Sequence, residues 1–181
     1  MKTESTVKFV LRLALTLLII TSVVAVALAG VNKVTAPAIA ALNAQKTQEA
    51  IEQVLPGGGE VVDFPETALV STVYASDSGY AVEVTPGGFD NTITMMVGVD
   101  KGGNVLGISV ISHTETAGLG AVAAAGTPAG EAFRAEFVGA SGSVAVTKDG
   151  GSVDAITGAT ITSRAICVGV NAALDCVAQM G

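Results

Sequence analysis

The first pattern along this chain is a run without charged residues from Leu13 to Val31. Such a run is about as long as a helix needs to be to span a bilayer. Basic residues precede it, so the positive-inside rule predicts that the N-terminal tail, residues 1–12, lies in the cytoplasm. The residues after the apolar run would then lie on the opposite side of the membrane. The basic residues are Lys2, Lys8 and Arg12.

A cleaved signal peptide is the competing interpretation of this N-terminus. Ala27, Leu28 and Ala29 have the small-x-small form of a cleavage site, after a basic region and an apolar core. The length of the apolar run favours a retained transmembrane helix over residues 13–31.

Helical spacing continues after this run, because apolar residues recur among polar ones from Ala36 to Leu55. Pro56 and three glycines then end the pattern. We therefore expect a connecting helix over residues 32–56 that packs on a domain over residues 57–181.

The middle of the chain alternates with the period of a β-strand. Four short segments rich in β-branched residues are separated by turn-forming clusters, and no helix lies between them. Consecutive strands without crossover helices predict antiparallel hairpins. The predicted strands are Leu69–Tyr74, Tyr80–Val84, Thr92–Val99 and Val105–Ile111.

The C-terminal third returns to helical periodicity. A loop rich in Gly and Ala, residues 116–130, precedes a short predicted helix over 131–137. A brief strand at 144–146 and a helix over 162–180 complete the domain. A sheet with flanking helices, preceded by one transmembrane helix, is an α+β architecture.

Charge excludes one class of partner. Beyond the apolar run, six Lys and Arg residues face fifteen Asp and Glu residues, and the chain has no Trp. An acidic domain with few aromatic side chains has neither the charge nor the stacking platform for nucleic acid.

Cys167 and Cys176 lie nine residues apart in the last predicted helix, on opposite faces, and cannot bond to each other there. We interpret both as core residues. His113 is the only histidine, so a satisfied histidine at a strand end is favoured over a catalytic one. Neither a metal site nor a nucleophilic set containing histidine is expected.

Candidate chemistry concentrates at the entrance to the last helix. Residues 154–160 read Asp-Ala-Ile-Thr-Gly-Ala-Thr, and a helix N-terminus can hold a phosphate with its free N–H groups and its dipole. The alternative is structural, with Asp154 in a turn and Thr162 as the cap of the helix. In that case Thr160 would lie just outside the helix.

A second candidate loop runs from Glu115 to Gly120 and reads Glu-Thr-Ala-Gly-Leu-Gly. Its two glycines around Leu119 would let the backbone approach a flat ligand, with Glu115 and Thr116 at the edge. A surface turn rich in glycine explains this loop equally well.

The two motifs together resemble the FMN-binding domains of the Rnf and Na⁺-translocating NADH:quinone reductase complexes. Residues 154–160 match the covalent flavin-attachment motif of that family at every defined position, and residues 115–120 resemble its Glu-Thr-Pro-Gly-Leu-Gly hallmark. Ala117 stands where the hallmark has proline, which should loosen the loop slightly. Residues 133–137 also resemble the short helix of the family.

The resemblance implies a covalent cofactor and names the residues that hold it. Thr160 Oγ would carry FMN through a phosphoester, installed by a flavin transferase that takes FMN from FAD. The backbone N–H groups of Thr157, Gly158, Ala159 and Thr160 would hold the phosphate at the helix N-terminus. Glu115, Thr116 and Leu119 would pack or hydrogen-bond along the ring system, and Asp154 and Gly118 complete the cofactor-binding set.

The short chain with one anchor resembles the G subunit of the Rnf complex, and the C subunit of the quinone reductase is the alternative. The resemblance implies electron transfer between other membrane subunits, without independent catalysis, in a complex that couples ferredoxin and NAD⁺ oxidoreduction to ion transport. Two other classes stay open. They are a membrane-anchored scaffold without flavin and a freestanding flavin reductase.

Overall fold

The computed structural model describes residues 2–65 and 67–181, and side chains from residue 6 onward. The chain divides into two compact units, residues 1–44 and 45–181. The described residues of the first unit, 2–44, are helical, and the second unit contains the end of the same helix, the sheet and the remaining helices.

Helix α1 is Lys2–Val54, and it joins the predicted spanning segment and the predicted connecting helix in one element. Pro37 lies inside it without ending it. Among the described residues, two helices are long and apolar enough to cross a membrane. The apolar window of α1 is 0% buried, whereas that of the C-terminal helix is 67% buried. Only α1 therefore has the exposure of an anchor, since the other helix belongs to a core.

The sheet has five strands that pair antiparallel in chain order, each with the next. The predicted antiparallel sheet is confirmed, and its four predicted strands are present. The first strand was not predicted, because three residues are too short for an alternating pattern. The strands are β1 Glu60–Val62, β2 Val70–Ala75, β3 Gly79–Val84, β4 Thr94–Asp100 and β5 Val105–Ser112.

Both faces of the sheet are covered, which explains why β4 is buried at five consecutive positions, 95–99. Helix α3, Thr160–Met180, packs on one face against Val82, Val84 and Val97. Gly169 lets this helix approach closely, because a Cβ there would lie 2.9 Å from Pro86 Cγ.

The other face is covered by the last turns of α1. Ala50, Ile51, Val54 and Leu55 form a buried cluster with Ala81 and Met96 of the sheet. Residues 45–54 thus belong to the compact unit of the sheet, although the sequence suggested that the domain starts at residue 57. The expected packing of this helix on the domain is confirmed, whereas the boundary at residue 57 had left its last turns outside the compact unit.

Two local predictions are corrected. Val144–Val146 is not a strand: Val146 makes one parallel bridge with Val153, and the side-chain amide of Asn171 satisfies the backbone N–H and C=O of Val144 at 2.7 and 2.8 Å. Helix α2 is Pro128–Ala135 and starts three residues before the prediction. Thr127 caps it by accepting a hydrogen bond from Gly130 N, and Pro128 is favoured in the first turn.

Candidate functional site

The two sequence motifs meet in one cleft of about 330 Å³ within the second unit. The cleft lies at the end of the sheet where β3 and β5 finish and α3 begins. Its lining residues come from the β3–β4 loop, the loop after β5, the turn that precedes the 154–160 motif, the end of that motif and the start of α3. They are Phe89, Glu115, Thr116, Leu119, Gly120, Lys148, Gly158, Ala159, Thr160, Ile161 and Thr162.

Six of the nine predicted site residues line this cleft, and three do not. Asp154 is exposed, and its backbone N–H donates to Glu136 Oε2 at 2.5 Å. Thr157 and Gly118 are exposed in turns, and Gly118 has a φ of 77°. The cleft residues among the nine are Glu115, Thr116, Leu119, Gly158, Ala159 and Thr160.

Glu115 joins three segments of the cleft wall. Glu115 is only 8% exposed. Oε1 accepts hydrogen bonds from the backbone N–H groups of Phe89 at 2.8 Å and Asp90 at 3.4 Å. Oε2 accepts from the buried hydroxyl of Thr162 at 2.5 Å. The carboxylate therefore fastens the β3–β4 loop and α3 to the loop after β5.

This arrangement gives Glu115 a structural role besides the one expected at the edge of a ligand. Its carboxylate oxygens accept three hydrogen bonds within the protein, so the side chain positions the cleft wall. Gly88 and Gly120 pack directly against the carboxylate, and a Cβ at either position would collide with it. The second glycine of the loop is thus required by Glu115 as well as by close approach to a ligand.

Helix α3 begins at Thr160, two residues earlier than predicted, with Ala159 at the N-cap position. Thr162 does not cap the helix, because its hydroxyl donates to Glu115. Ser163, fully buried, links the motif to the first turn instead. Its hydroxyl accepts from Ile156 N at 3.0 Å and donates to Ala159 O at 3.0 Å.

The free donors at this helix end differ in part from those expected. Ala159 N–H donates to Ile156 O at 2.9 Å and is therefore occupied within the turn. Among the described residues, no side chain caps the N-terminus of α3. The first three N–H groups of an α-helix have no acceptor within it, so Thr160, Ile161 and Thr162 present donors at the cleft. Their dipole favours a negative charge there.

Gly158 completes the turn. Its φ of 78° lies in the left-handed region that favours glycine, and a Cβ would lie 2.9 Å from Leu119 Cδ2. The glycine of the 154–160 motif thus lets the two motifs touch.

Lys148 is a cleft residue that the sequence did not predict. It belongs to a short 3₁₀ turn, Thr147–Asp149, and its ammonium donates to Thr160 Oγ1 at 3.2 Å. The sequence around Lys148 does not indicate this contact, because Lys148 and Thr160 are twelve positions apart.

An apolar lip borders the same cleft. Phe89 is 65% exposed, and Leu119 and Ile161 are also exposed. Exposed apolar side chains around a concave site indicate a ligand or partner surface. Phe89 was not predicted either, because it lies in a loop that is far from both motifs in the sequence.

The remaining predictions about reactive side chains agree with the structure. His113 Nδ1 accepts a hydrogen bond from Glu115 N at 3.2 Å, so this histidine is satisfied by the backbone. Cys167 and Cys176 are free and buried. Burial raises the pKa of the Cys167 thiol to about 11 and also raises that of Cys176. Neither thiol is prepared for chemistry.

A second, larger groove of about 460 Å³ lies between the last turns of α1 and β5. Its walls are mostly polar and contain Lys46, Glu49, Gln53, Ser109 and Arg134. Neither motif reaches it. The smaller cleft is the better ligand site, because it combines an apolar lip with convergent polar groups.

The cleft suits a ligand with an anionic end and a flat, largely apolar body. An ammonium and a helix N-terminus meet at Thr160, and the exposed apolar side chains of Phe89, Leu119 and Ile161 line the same cleft. These features favour a phosphate at the hydroxyl and a ring system along the lip.

Comparison with known proteins agrees with this chemistry. Residues 88–175 match the FMN-binding domain family. The match begins at the glycine that packs on Glu115 and extends through most of α3. It therefore contains every segment that lines the cleft.

Full-length relatives extend the similarity to the N-terminus. The G subunit of the Na⁺-translocating ferredoxin:NAD⁺ oxidoreductase complex of Acetobacterium woodii is 32% identical over 192 residues, covering 93% of this chain and 91% of that protein. The G subunit of an ion-translocating oxidoreductase complex of Methanosarcina acetivorans is 32% identical, covering 96% and 98%. Its counterpart in Pseudomonas aeruginosa is 36% identical, covering 62% and 55%. This chain belongs to the family of G subunits of ion-translocating oxidoreductase complexes, and it contains their FMN-binding domain.

Proposed function

We propose that this chain carries FMN covalently, through a phosphoester to Thr160 Oγ, and relays electrons in a membrane-bound ion-translocating ferredoxin:NAD⁺ oxidoreductase. Membership of the G-subunit family supports the electron-transfer role. The observation that carries the covalent link is the position of Thr160. Its hydroxyl lies in the cleft, beside an ammonium and at the first residue of α3.

The residues of the cleft fit FMN at both of its ends. Lys148 and the N–H groups at the start of α3 would hold the phosphate, which keeps one negative charge as a diester. Phe89, Leu119 and Ile161 would flank the isoalloxazine. When bound, FMN supplies reversible electron uptake and release, and the protein orients and tunes it.

Attachment by a flavin transferase explains why a hydroxyl is needed at this position. The Thr160 oxygen would bond to the FMN phosphorus of FAD, the pyrophosphate bond would break, AMP would leave, and the hydroxyl proton would pass to the medium. A tether keeps the flavin at an effective concentration set by geometry alone, so that it cannot be lost from an extracytoplasmic site.

The proposed topology places the flavin outside the cytoplasm. Residues 1–12 form a cytoplasmic tail, residues 13–31 cross the inner membrane once, and the chain after residue 31 lies outside the cytoplasm, including the compact unit of residues 45–181. The basic tail and the exposed apolar helix support this orientation. The partners are the other membrane subunits of the complex, and no nucleic acid is involved.

The decisive experiment is detection of flavin on the denatured chain. We expect yellow in-gel fluorescence from protein isolated from its native membrane. Fragment-ion mass spectrometry of the tryptic peptide 149–164 should place the mass of FMN, less one water, on Thr160.

Two variants sharpen this test. Thr160→Ala should abolish the fluorescence, whereas Thr147→Ala, which removes a hydroxyl from the adjacent 3₁₀ turn, should retain it. An unmodified Thr160 in native protein would instead favour the non-flavinylated scaffold. Flavin on Thr160 together with unaided turnover of a donor and acceptor pair by the solubilised chain would favour a freestanding reductase.

A further inference from the structure

The cleft contains a positive charge that neither motif supplies. Lys148 and Glu115 are the two charged residues among those that line it. The Glu115 carboxylate is turned to Thr162 and the backbone of Phe89 and Asp90, whereas the Lys148 ammonium reaches Thr160 Oγ1. The charge that faces the hydroxyl is therefore positive, in a chain whose net charge is −7.

The backbone around Lys148 is fixed on both sides. Asp149, its neighbour, accepts two hydrogen bonds of 2.6 Å from Arg164, in a bidentate ion pair. Arg164 lies one helical turn after Thr160, so both side chains project from one face of α3. Val146 on the other side of the turn bridges to Val153.

The ion pair is partly exposed, with relative exposures of 48% for Arg164 and 39% for Asp149. Its hydrogen bonds with Arg164 lower the pKa of Asp149, so this carboxylate stays charged at neutral pH. Such a pair contributes little to overall stability. Its consequence is geometric, because it ties the 3₁₀ turn that carries Lys148 to the helix that carries Thr160.

We propose that Lys148 is the counter-charge of the phosphodiester at Thr160, and that the Asp149–Arg164 pair is a positioning pair that holds Lys148 there. This inference rests on the proposed attachment of FMN to Thr160. It assigns a function to three residues outside the matched motif, residues 154–160. A surface lysine without this role would remain equally free whether or not flavin is attached.

Lysine acylation measures the inference directly on the full-length chain in detergent. The protein is made with and without a flavin transferase, and the acetylation rate of each lysine is measured against pH with acetic anhydride. Acetylated Lys148 resists trypsin and appears in the peptide 135–164, which contains no other lysine. Lys101, exposed in the turn after β4, is the matched control.

An adjacent anion stabilises the ammonium and raises its pKa. We expect the pH midpoint for Lys148 acetylation to rise by about half a unit on flavin attachment, which slows acetylation about threefold near neutral pH, as suits an exposed pair. Lys101 should not change. Asp149→Asn should reduce this rise in the Lys148 midpoint, whereas Asp149→Glu, which keeps a carboxylate, should retain most of it.

The outcomes separate the two proposals. Wild-type protein without flavin on Thr160 would overturn the proposed function and this inference with it. Attached flavin with an unshifted midpoint for Lys148 would overturn the inference alone. That includes the case in which acetylation slows equally at every pH, because such slowing indicates steric shielding. A rise that Asp149→Asn leaves intact would remove the positioning pair from the proposal.

Discussion

At the scale of single residues, Glu115 organises the cleft more than any other side chain. The sequence indicated it as a polar group at the edge of a ligand, because the motif contains it. The structure shows that its carboxylate accepts hydrogen bonds that join three segments, with a partner as far as 47 positions away in the sequence. No local pattern encodes a contact over that distance, so the residue could be predicted but its role could not.

We expect Glu115→Ala to lower the free energy of unfolding by about 1–3 kcal/mol, because the Phe89 N–H and the Thr162 hydroxyl lose their buried acceptor. Glu115→Gln should cost much less. Its amide oxygen can accept from Phe89 N, and its NH₂ group can donate to the rotatable Thr162 hydroxyl. Denaturant unfolding of the solubilised chain measures both variants.

The neighbouring Thr116→Ala, which removes an exposed hydroxyl, is the control for Glu115 and should be close to neutral. If Glu115→Gln proved as destabilising as Glu115→Ala, the negative charge itself would be what the fold requires, and the hydrogen-bond account would be wrong.

The cysteines give a second prediction at this scale. Since burial raises the pKa of Cys167 to about 11, its thiolate fraction at pH 8 should be about a hundredfold below that of a thiol with a pKa of 9.0. Iodoacetamide should therefore leave Cys167 unmodified in the folded chain and label it in denaturant, as intact mass would show.

Val168→Cys supplies the comparison for this measurement, because position 168 is exposed on the same helix. Its thiol should react rapidly in the folded protein. Labelling of Cys167 at a similar rate would mean that α3 opens far more readily than a core helix should.

At the scale of elements, turns and periodicity were predicted well, and element ends were predicted less well. The four β-hairpin strands follow from alternation between turn residues. The predicted start of α3 was two residues too late. Threonine is a typical N-cap residue, but the hydroxyl of Thr162 donates to Glu115 instead of capping the helix. A cap is a local preference, and here a buried tertiary hydrogen bond overrides it.

The turn between β4 and β5 should give the fold a pH dependence. Asp100 Oδ1 accepts from the N–H groups of Asn104 and Gly102, both at 2.8 Å, and these bonds, chiefly that of Asn104, lower the pKa of Asp100 below 3.8. A depressed folded pKa stabilises the protein above the unfolded pKa. This contribution is lost as the pH falls through the folded pKa.

Asp100→Ala should therefore lower the melting temperature at neutral pH, and its difference from the wild type should close as the pH falls below 3.8. Thermal melts across that range test the sign. Asp77→Ala, in the exposed β2–β3 turn, serves as the control for removal of a turn carboxylate. A gap that widened in acid would contradict the linkage argument.

At the scale of the whole molecule, the last turns of α1 decide where the folded unit begins. The sequence marked residue 57 as the start of the domain, because Pro and Gly end the helical pattern there. The compact unit starts at Gln45, since residues 50–55 bury apolar side chains on the sheet. A helical period shows that one face is apolar, but not which surface will cover it.

We expect a chain of residues 45–181 to fold cooperatively, and a chain of residues 57–181 to aggregate or unfold at lower denaturant. The shorter chain loses Ile51, Val54 and Leu55, each worth about 1.5–3 kcal/mol when buried. Their sum is comparable with the whole stability of a small domain. Urea unfolding and size-exclusion chromatography compare the two chains. Equal stability would show that this cluster is dispensable.

The sequence by itself determined the properties that repeat along the chain or reside in contiguous residues. These are the apolar length of the N-terminal helix, the alternation of the strands, the α+β class and the two motifs of the FMN-binding family. Each depends on neighbouring residues, because helices and strands have characteristic side-chain periods that a local pattern reveals.

Only the tertiary structure decided which of these pieces meet. It brought Lys148 to Thr160 across twelve positions, Glu115 to Thr162 across 47, and the end of α1 onto the sheet. The physical reason is that such contacts depend on packing and on the pairing of buried polar groups, which are properties of the folded whole. A sequence can name the residues of a site, but their partners exist only once the chain has folded.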